Sequence, residues 1–222
     1  MINNKKLTAI IPVRAGSQRV INKNIKKFAE TNLIEIKINI LKKVNEIDEI
    51  IISSDSDEML EIGKKNNIKT HKREKYFASS KATNSEFFYN LATISNSEYL
   101  LYSPVTSPLI SEETIKECIY SLEKGNSSNI VTTTLIKHHL WLNGKPLNYK
   151  ISESPNSQDL PDIHSINYAC CIIKKLDMLE FKNVVTNNPT FYVTNEIESI
   201  DIDTEFDFSI AEFFYKKINN II

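Results

Sequence analysis

Three observations predict an α/β domain with a mostly parallel sheet. Up to about residue 70, apolar strand-like runs alternate with segments of helical spacing, a rhythm that gives parallel strands joined by right-handed crossovers. The first two runs, Leu7 to Val13 and Glu49 to Ser53, are almost continuously apolar, as strands covered on both faces are. The 222 residues, 41% hydrophobic and 25% charged, suffice for one such domain, residues 1–222, with an elaborated insertion.

The first strand stops at Arg14, and a loop rich in small and basic residues follows. Leu33, Ile36, Ile40, Leu41 and Val44 then recur at helical spacing. The second strand runs into Ser54 and Asp55, and Asp57 is placed to cap a helix carrying Met59, Leu60 and Ile62. Ile68 to His71 forms a short third strand. Arg73 to Ser85 is polar and irregular, and a helix from Glu86 to Ile94 follows. Tyr99 to Tyr102 is another strand, ending in the stiff turn Ser103 to Pro108 with its two prolines. Ser111 caps a helix whose first turn holds Glu112 and Glu113, a placement that suits the helix dipole. Ile130 to Thr134 is a further strand.

From Leu135 to Ser165 the rhythm breaks, and a small inserted hairpin element is expected there. Strands resume at Asn167 to Ile173, Phe191 to Val193 and Ile197 to Ile202. Thr204 caps the last helix, whose buried stripe is read as Phe206, Ile210, Phe213, Phe214 and Ile218.

Composition removes several function classes. A net charge of −1 leaves no overall basic field for nucleic acid. Cys118, Cys170 and Cys171 include no CxxC pair, and they read as reduced, buried thiols of a cytoplasmic protein. The N-terminal apolar run is too short for a signal peptide, and no stretch is long enough to span a membrane.

Chemistry concentrates in two places. The loop after the first strand carries Arg14, Gly16, Ser17, Arg19, Lys23 and Asn24. Small residues let backbone N–H groups approach an anion, and Arg and Lys neutralise it, so the loop suits phosphate. GxxxxGK[ST] and GxGxxG are both missing, and a solvated βα turn is the other reading. Near the C-terminus, Asp201 and Asp203 alternate with Ile202 and would share one face of a strand end. Two hard oxygen ligands on one face suit Mg2+ bound with phosphates; alternatively, the pair merely favours the following helix N-terminus. His138 and His139 lack partners at zinc spacing and read as surface or interface residues. Trp141 and the tyrosines of the insertion could line a pocket or a subunit contact.

At this point a resemblance can be stated. IPVRAGSQRVINKN at Ile11 to Asn24 resembles the signature I-P-A-R-x-G-S-K-x-x-x-x-K-N of the acylneuraminate cytidylyltransferases, which include CMP-sialic acid synthetases. Further segments follow in the family's order. Ser53 to Lys69 is similar to its S-T-D-x-x-E-I-A-x-x-A segment, and Arg73 with Phe77 to Ser80 to its R-P-x-x-L-A-x-D loop. Thr106 to Leu109 resembles the end of Q-P-T-S-P-L-R, Gln158 to Pro161 resembles R-Q-D-L-P, and Ser199 to Thr204 matches S-I-D-I-D-T. The resemblance spans nearly the whole chain. It implies a Rossmann-like nucleotidyltransferase fold, a homodimer with a projecting dimerisation element, and Mg2+. The implied reaction is attack of an acidic sugar's hydroxyl on the α-phosphate of CTP, giving a CMP-sugar and pyrophosphate. Carried over by position, Arg14, Ser17 and Lys23 would hold the triphosphate, and Arg73 and Ala82 would lie near cytidine. Asp201 and Asp203 would hold Mg2+. Gln158 would lie near the sugar, with Asp159, Thr106 and Ser107 on the substrate side. Gln18, Pro104, Ile110 and Ser157 depart from the family pattern. They leave open another nucleotide, a non-sugar acceptor, or a non-catalytic nucleotide-binding role.

Overall fold

The computed structural model describes residues 1–222. Nine strands form in chain order: β1 (Leu7–Pro12), β2 (Glu49–Ser54), β3 (Lys69–Lys72), β4 (Tyr99–Tyr102), β5 (Asn129–Ile136), β6 (Trp141–Leu142), β7 (Lys145–Pro146), β8 (Ile163–Lys174) and β9 (Thr190–Val193). Seven helices accompany them: α1 (Leu33–Lys42), α2 (Asp57–Lys65), α3 (Lys75–Ala78), α4 (Asn84–Thr93), α5 (Glu112–Lys124), α6 (Lys175–Phe181) and α7 (Glu205–Ile218).

The central sheet has seven strands in the order β3-β2-β1-β4-β8-β5-β9. The pairs β2–β3, β1–β2, β1–β4 and β5–β9 are parallel. Only β8 runs against its neighbours β4 and β5. The sheet is thus mainly parallel, as expected.

Its two faces carry separate cores. One joins Leu7, Ala9 and Ile11 of β1 to α1, α2, α5 and α7. The other joins Ile10 and Leu100 to Phe88 and Leu91 of α4 and to Met178 of α6. Alternation along β1 sends odd and even residues to opposite layers, so every position of the run but Thr8 is apolar, and Thr8 is buried with its hydroxyl bonded to Ser95 and Ser97. Gly63 permits the close approach of α2 to β2, since a Cβ there would meet Ile52 Cγ2 at 2.5 Å.

Side-chain caps set most helix starts. Ser111 accepts from Thr114 N, and Thr204 forms a capping box with Asp207. The cap of α2 is Ser56, not Asp57; Asp57 is the first helical residue, where its charge meets the dipole. A capping box of Thr83 with Glu86 starts α4 two residues before the expected Glu86.

Three expectations are corrected. No strand forms at Ile197 to Ile202: Asn195 turns the chain by accepting from Glu198 N at 2.9 Å. The Glu198 carboxylate then accepts from Ser111 N and Thr114 Oγ1 at the start of α5, so the segment is held by its side chains. The inward stripe of α7 is Phe208 and Ala211 with Phe214 and Tyr215 against the core, while Phe206, Phe213 and Ile218 are exposed. The polar stretch after Arg73 contains the single turn α3, and the sequence reading placed no helix where α6 forms.

Between β5 and β8, a two-stranded hairpin, β6–β7, turns at Asn143 and Gly144, both in left-handed conformation, as a tight hairpin turn requires. Trp141, Leu142, Leu147 and Ile151 are exposed along this arm. No helix is long and apolar enough to cross a membrane.

Candidate active site

β1 and β4 are adjacent and parallel, yet the chain leaves them in opposite directions, toward β2 and toward β8. Open α/β sheets place their ligand crevice at the carboxyl ends of such a pair. A cleft of about 510 Å³ lies there. Its wall includes Arg14, Ser17, Arg19, Lys23 and Asn24 from the β1 loop, Arg73 and Ala82 beyond β3, Thr106 beyond β4, and Asp203 before α7. Residues scattered over the whole chain therefore converge.

The β1 loop reaches this position through its own bonds. Val13 N donates to Ser53 O at 3.0 Å, and Ala15 N donates to Asp55 Oδ1 at 3.1 Å. Asn24 is buried and donates its amide to Arg14 O at 3.0 Å, so it braces the loop. Gly16 is left-handed at φ 73° with open space around it; conformation, not crowding, calls for glycine. Helix α1 begins only at Leu33, so the loop presents Arg, Lys and its own backbone without a helix N-terminus behind it.

Charge in the cleft is organised in pairs. Arg14 Nη1 donates to Ala78 O at 3.0 Å. Arg19 Nη2 meets Asp203 Oδ1 at 2.7 Å in an exposed ion pair. Lys23 donates to the carbonyl of Ile202, between the two aspartates. Partial burial pulls the Lys23 amine below its ordinary value, while Asp201 and Asp203 hold it up. Desolvation pushes the Asp201 carboxyl up; a Thr106 hydrogen bond opposes this, and the Asp203 charge adds to it. Asp201 is exposed as a residue and lies beside the cleft rather than on its wall.

Mg2+ takes hard oxygen donors and needs only one or two protein carboxylates when phosphates supply the rest. Asp203 on the wall and Asp201 beyond Ile202 fit that donor set, and no three His, Cys, Asp or Glu side chains group as a closed metal site. Both acids lie in irregular backbone fixed by Ile202 N donating to Thr106 O at 2.8 Å, not on a strand end.

Arg73 is almost fully buried. It donates to Val13 O and lies over the Phe87 ring at 5.2 Å, which braces the end of β1. Burial lowers it to about 10, against the attraction of Asp55. Ser107 is buried and off the cleft wall, its hydroxyl without a partner and its carbonyl accepting from Lys37 Nζ at 2.8 Å. Gln158 and Asp159 sit on an exposed single turn of the arm and do not reach this cleft. His138 and His139 are exposed on the same arm.

Three residues escaped the sequence reading. Phe87 and Tyr102 line the cleft beside Phe77 of the resembling loop, but in the sequence they look like ordinary helix and strand hydrophobics. Lys37 did leave a signal: it falls on the apolar stripe of α1, four residues from both Leu33 and Leu41.

Comparisons with known proteins point to one family. The family described as cytidylyltransferase matches residues 8–168. The flagellin modification protein B of Campylobacter coli is 26% identical over 228 residues, covering 96% of this chain and 97% of its own. The pseudaminic acid cytidylyltransferase of Campylobacter jejuni is 26% identical over 224 residues, covering 95% and 97%. A solved 4-diphosphocytidyl-2C-methyl-D-erythritol synthase from Anaerococcus prevotii superposes with a TM-score of 0.72 at 20% identity, covering 97% of this chain and 98% of that one, a likeness of fold. With the family match spanning most of the chain and the loop residues converging at the switch point, this protein belongs to the cytidylyltransferase family and is a nucleotidyltransferase.

Proposed function

We propose that the chain transfers CMP from CTP to an acidic sugar of the nonulosonic or ulosonic class, releasing pyrophosphate. The observation that carries this reading is the convergence of Arg14, Arg19 and Lys23 with Asp203 on one cleft at the switch point of the sheet. In the reaction a sugar hydroxyl oxygen bonds to the α-phosphorus of CTP. The bond from that phosphorus to the bridging oxygen breaks, and pyrophosphate leaves with the electron pair. The hydroxyl proton goes to solvent. Such transfer needs positioning and charge neutralisation rather than a covalent nucleophile.

Arg14, Ser17 and Lys23 would grip the triphosphate, and Arg19 would exchange Asp203 for a phosphate oxygen. Arg73, Ala82 and Phe87 would shape the nucleoside end. Asp203 and Asp201 would hold Mg2+, which when bound neutralises charge developing on the leaving group. Thr106 marks the acceptor side. We also infer a homodimer through the hairpin arm, supported by the exposed Trp141, Leu142, Leu147 and Ile151. Gln158 and Asp159 would then meet acceptor only in the cleft of a second copy.

The test is pyrophosphate release with Mg2+, each of CTP, ATP, GTP and UTP, and a panel of acidic sugars including pseudaminic and N-acetylneuraminic acids. CTP with at least one acidic sugar is expected to turn over. CTP should also raise the melting temperature most, by the equivalent of about 2.7 kcal/mol at a hundredfold excess over its Kd. Turnover only with another nucleotide or a non-sugar acceptor would replace this reading, and binding without turnover would make the chain a non-catalytic homologue.

A further inference from the structure

β8 contains an irregularity that the reaction as described does not use. On its way past β5, Val131 pairs with Cys171 but Thr133 pairs with Ile166. Two steps on β5 thus correspond to five on β8, and Asn167, Tyr168 and Ala169 are extruded as a bulge. Tyr168 adopts a left-handed conformation, φ 57°. Most other positive-φ residues here are asparagines, which tolerate that region; Tyr168 is the one aromatic among them.

The surroundings enforce the conformation. Asn167 Oδ1 accepts from Ala169 N at 3.2 Å, and its amide donates to Thr194 Oγ1 at 2.8 Å and Thr134 Oγ1 at 3.2 Å. Thr132 Oγ1 accepts from Cys170 N at 2.9 Å. Backbone strain kept by such bracing clusters at functional sites.

The bulge lies beyond the carboxyl end of β4, the strand end from which part of the cleft wall leaves. β8 is antiparallel to β4, and the last pair is Tyr102 with Cys171. Residues before Cys171 therefore run on past the carboxyl end of β4, the end from which Pro104 and Val105 of the cleft wall follow. Tyr102, paired with Cys171, is itself on the cleft wall, and Tyr168 lies three residues before Cys171, just beyond the lining residues. Tyr168 is nonetheless 39% exposed. The nucleoside end, with Arg73, Ala82 and Phe87, belongs to the other flank of β1.

We propose that Tyr168 is a specificity-determining residue that contacts the acceptor sugar and leaves the nucleotide untouched. The inference rests on the cytidylyl-transfer reading above. An aromatic ring packs against the C–H face and alkyl substituents of a deoxy sugar acid, and its hydroxyl can bond to the polar edge.

The experiment compares wild type with Tyr168→Gly, which suits the backbone conformation, and Tyr168→Phe, which keeps the ring. CTP affinity is read by calorimetry, folding by melting temperature, and acceptor kcat and KM by pyrophosphate release. For Tyr168→Gly the acceptor KM should rise by about tenfold, the scale of one lost aromatic contact, with CTP affinity unchanged and the melting temperature unchanged or higher. Tyr168→Phe should keep most of the acceptor affinity. An active wild type whose acceptor kcat/KM is matched by Tyr168→Gly overturns this inference alone, as does a parallel loss of CTP binding. A wild type that releases pyrophosphate with no acidic sugar overturns both this inference and the reading beneath it.

Discussion

Replacing Lys37 with methionine should stabilise the protein at neutral pH and flatten its stability between pH 7 and 9. Lys37 is fully buried on α1, with one hydrogen bond, from Nζ to Ser107 O at 2.8 Å. Burial lowers its pKa from 10.5 to about 7, although Cys170 and Asp201 pull the other way. The unfolded chain holds this proton up to pH 10.5, whereas the folded chain gives it up near 7. Folding therefore carries no charge penalty above 10.5, a growing one as pH falls toward 7, and the full one below 7. At pH 7 the penalty is about 4 kcal/mol, and raising pH to 9 recovers about 2 kcal/mol of it. Methionine keeps an unbranched apolar stem of similar length and removes the charge. It also strands the Ser107 carbonyl, at a cost of about 1–3 kcal/mol. The net gain at pH 7 should be about 1–3 kcal/mol, or roughly 2–12 °C in melting temperature for a chain this size. Thermal and urea unfolding of both proteins at pH 7 and 9 isolate the effect, because every other titrating group is common to the two. If the wild type and Lys37→Met gain equally between pH 7 and 9, the amine is not held neutral by burial and the reasoning fails.

Two further outcomes are expected. Asp203→Asn should lower kcat by at least ~100-fold, equivalent to roughly 2.7 kcal/mol of transition-state stabilisation. The ligand-free melting temperature should barely move, because the lost Arg19 pair is exposed and the Thr204–Asp207 capping box stays intact; normal turnover at the same Mg2+ concentration would show that Asp203 is only an acid ahead of a helix. Light scattering at micromolar concentration should give about twice the 25.5 kDa chain mass, and a monomer mass would remove the homodimer reading.

By itself the sequence determined most of the local elements and the chemistry of the first loop. The continuous apolar runs at Leu7 and Glu49 could only be strands covered on both sides, since nearly every residue of β1 meets one core or the other. Ser111 and Thr204 could be read as caps because a cap bonds only three residues away. The basic residues near Gly16 and the acids at 201 and 203 were legible as types, and the order of motifs revealed the family. Only the tertiary structure decided which of them meet. It brought Arg19 to Asp203 across 184 positions and Lys23 to the carbonyl of Ile202, contacts that depend on strand order rather than spacing. It replaced the strand before Asp201 with a turn, because Glu198 bonds to Thr114 at the start of α5, a partner 84 residues away in sequence. It turned α7 so that Phe208 faces the core and Phe206 faces solvent, because the neighbouring Phe28 meets Phe208 at 5.2 Å. It also placed Gln158 outside the cleft and set Tyr168 in a bulge beyond the end of β4, since a bulge is set by pairing with β5, and pairing partners are not written in the strand that bulges.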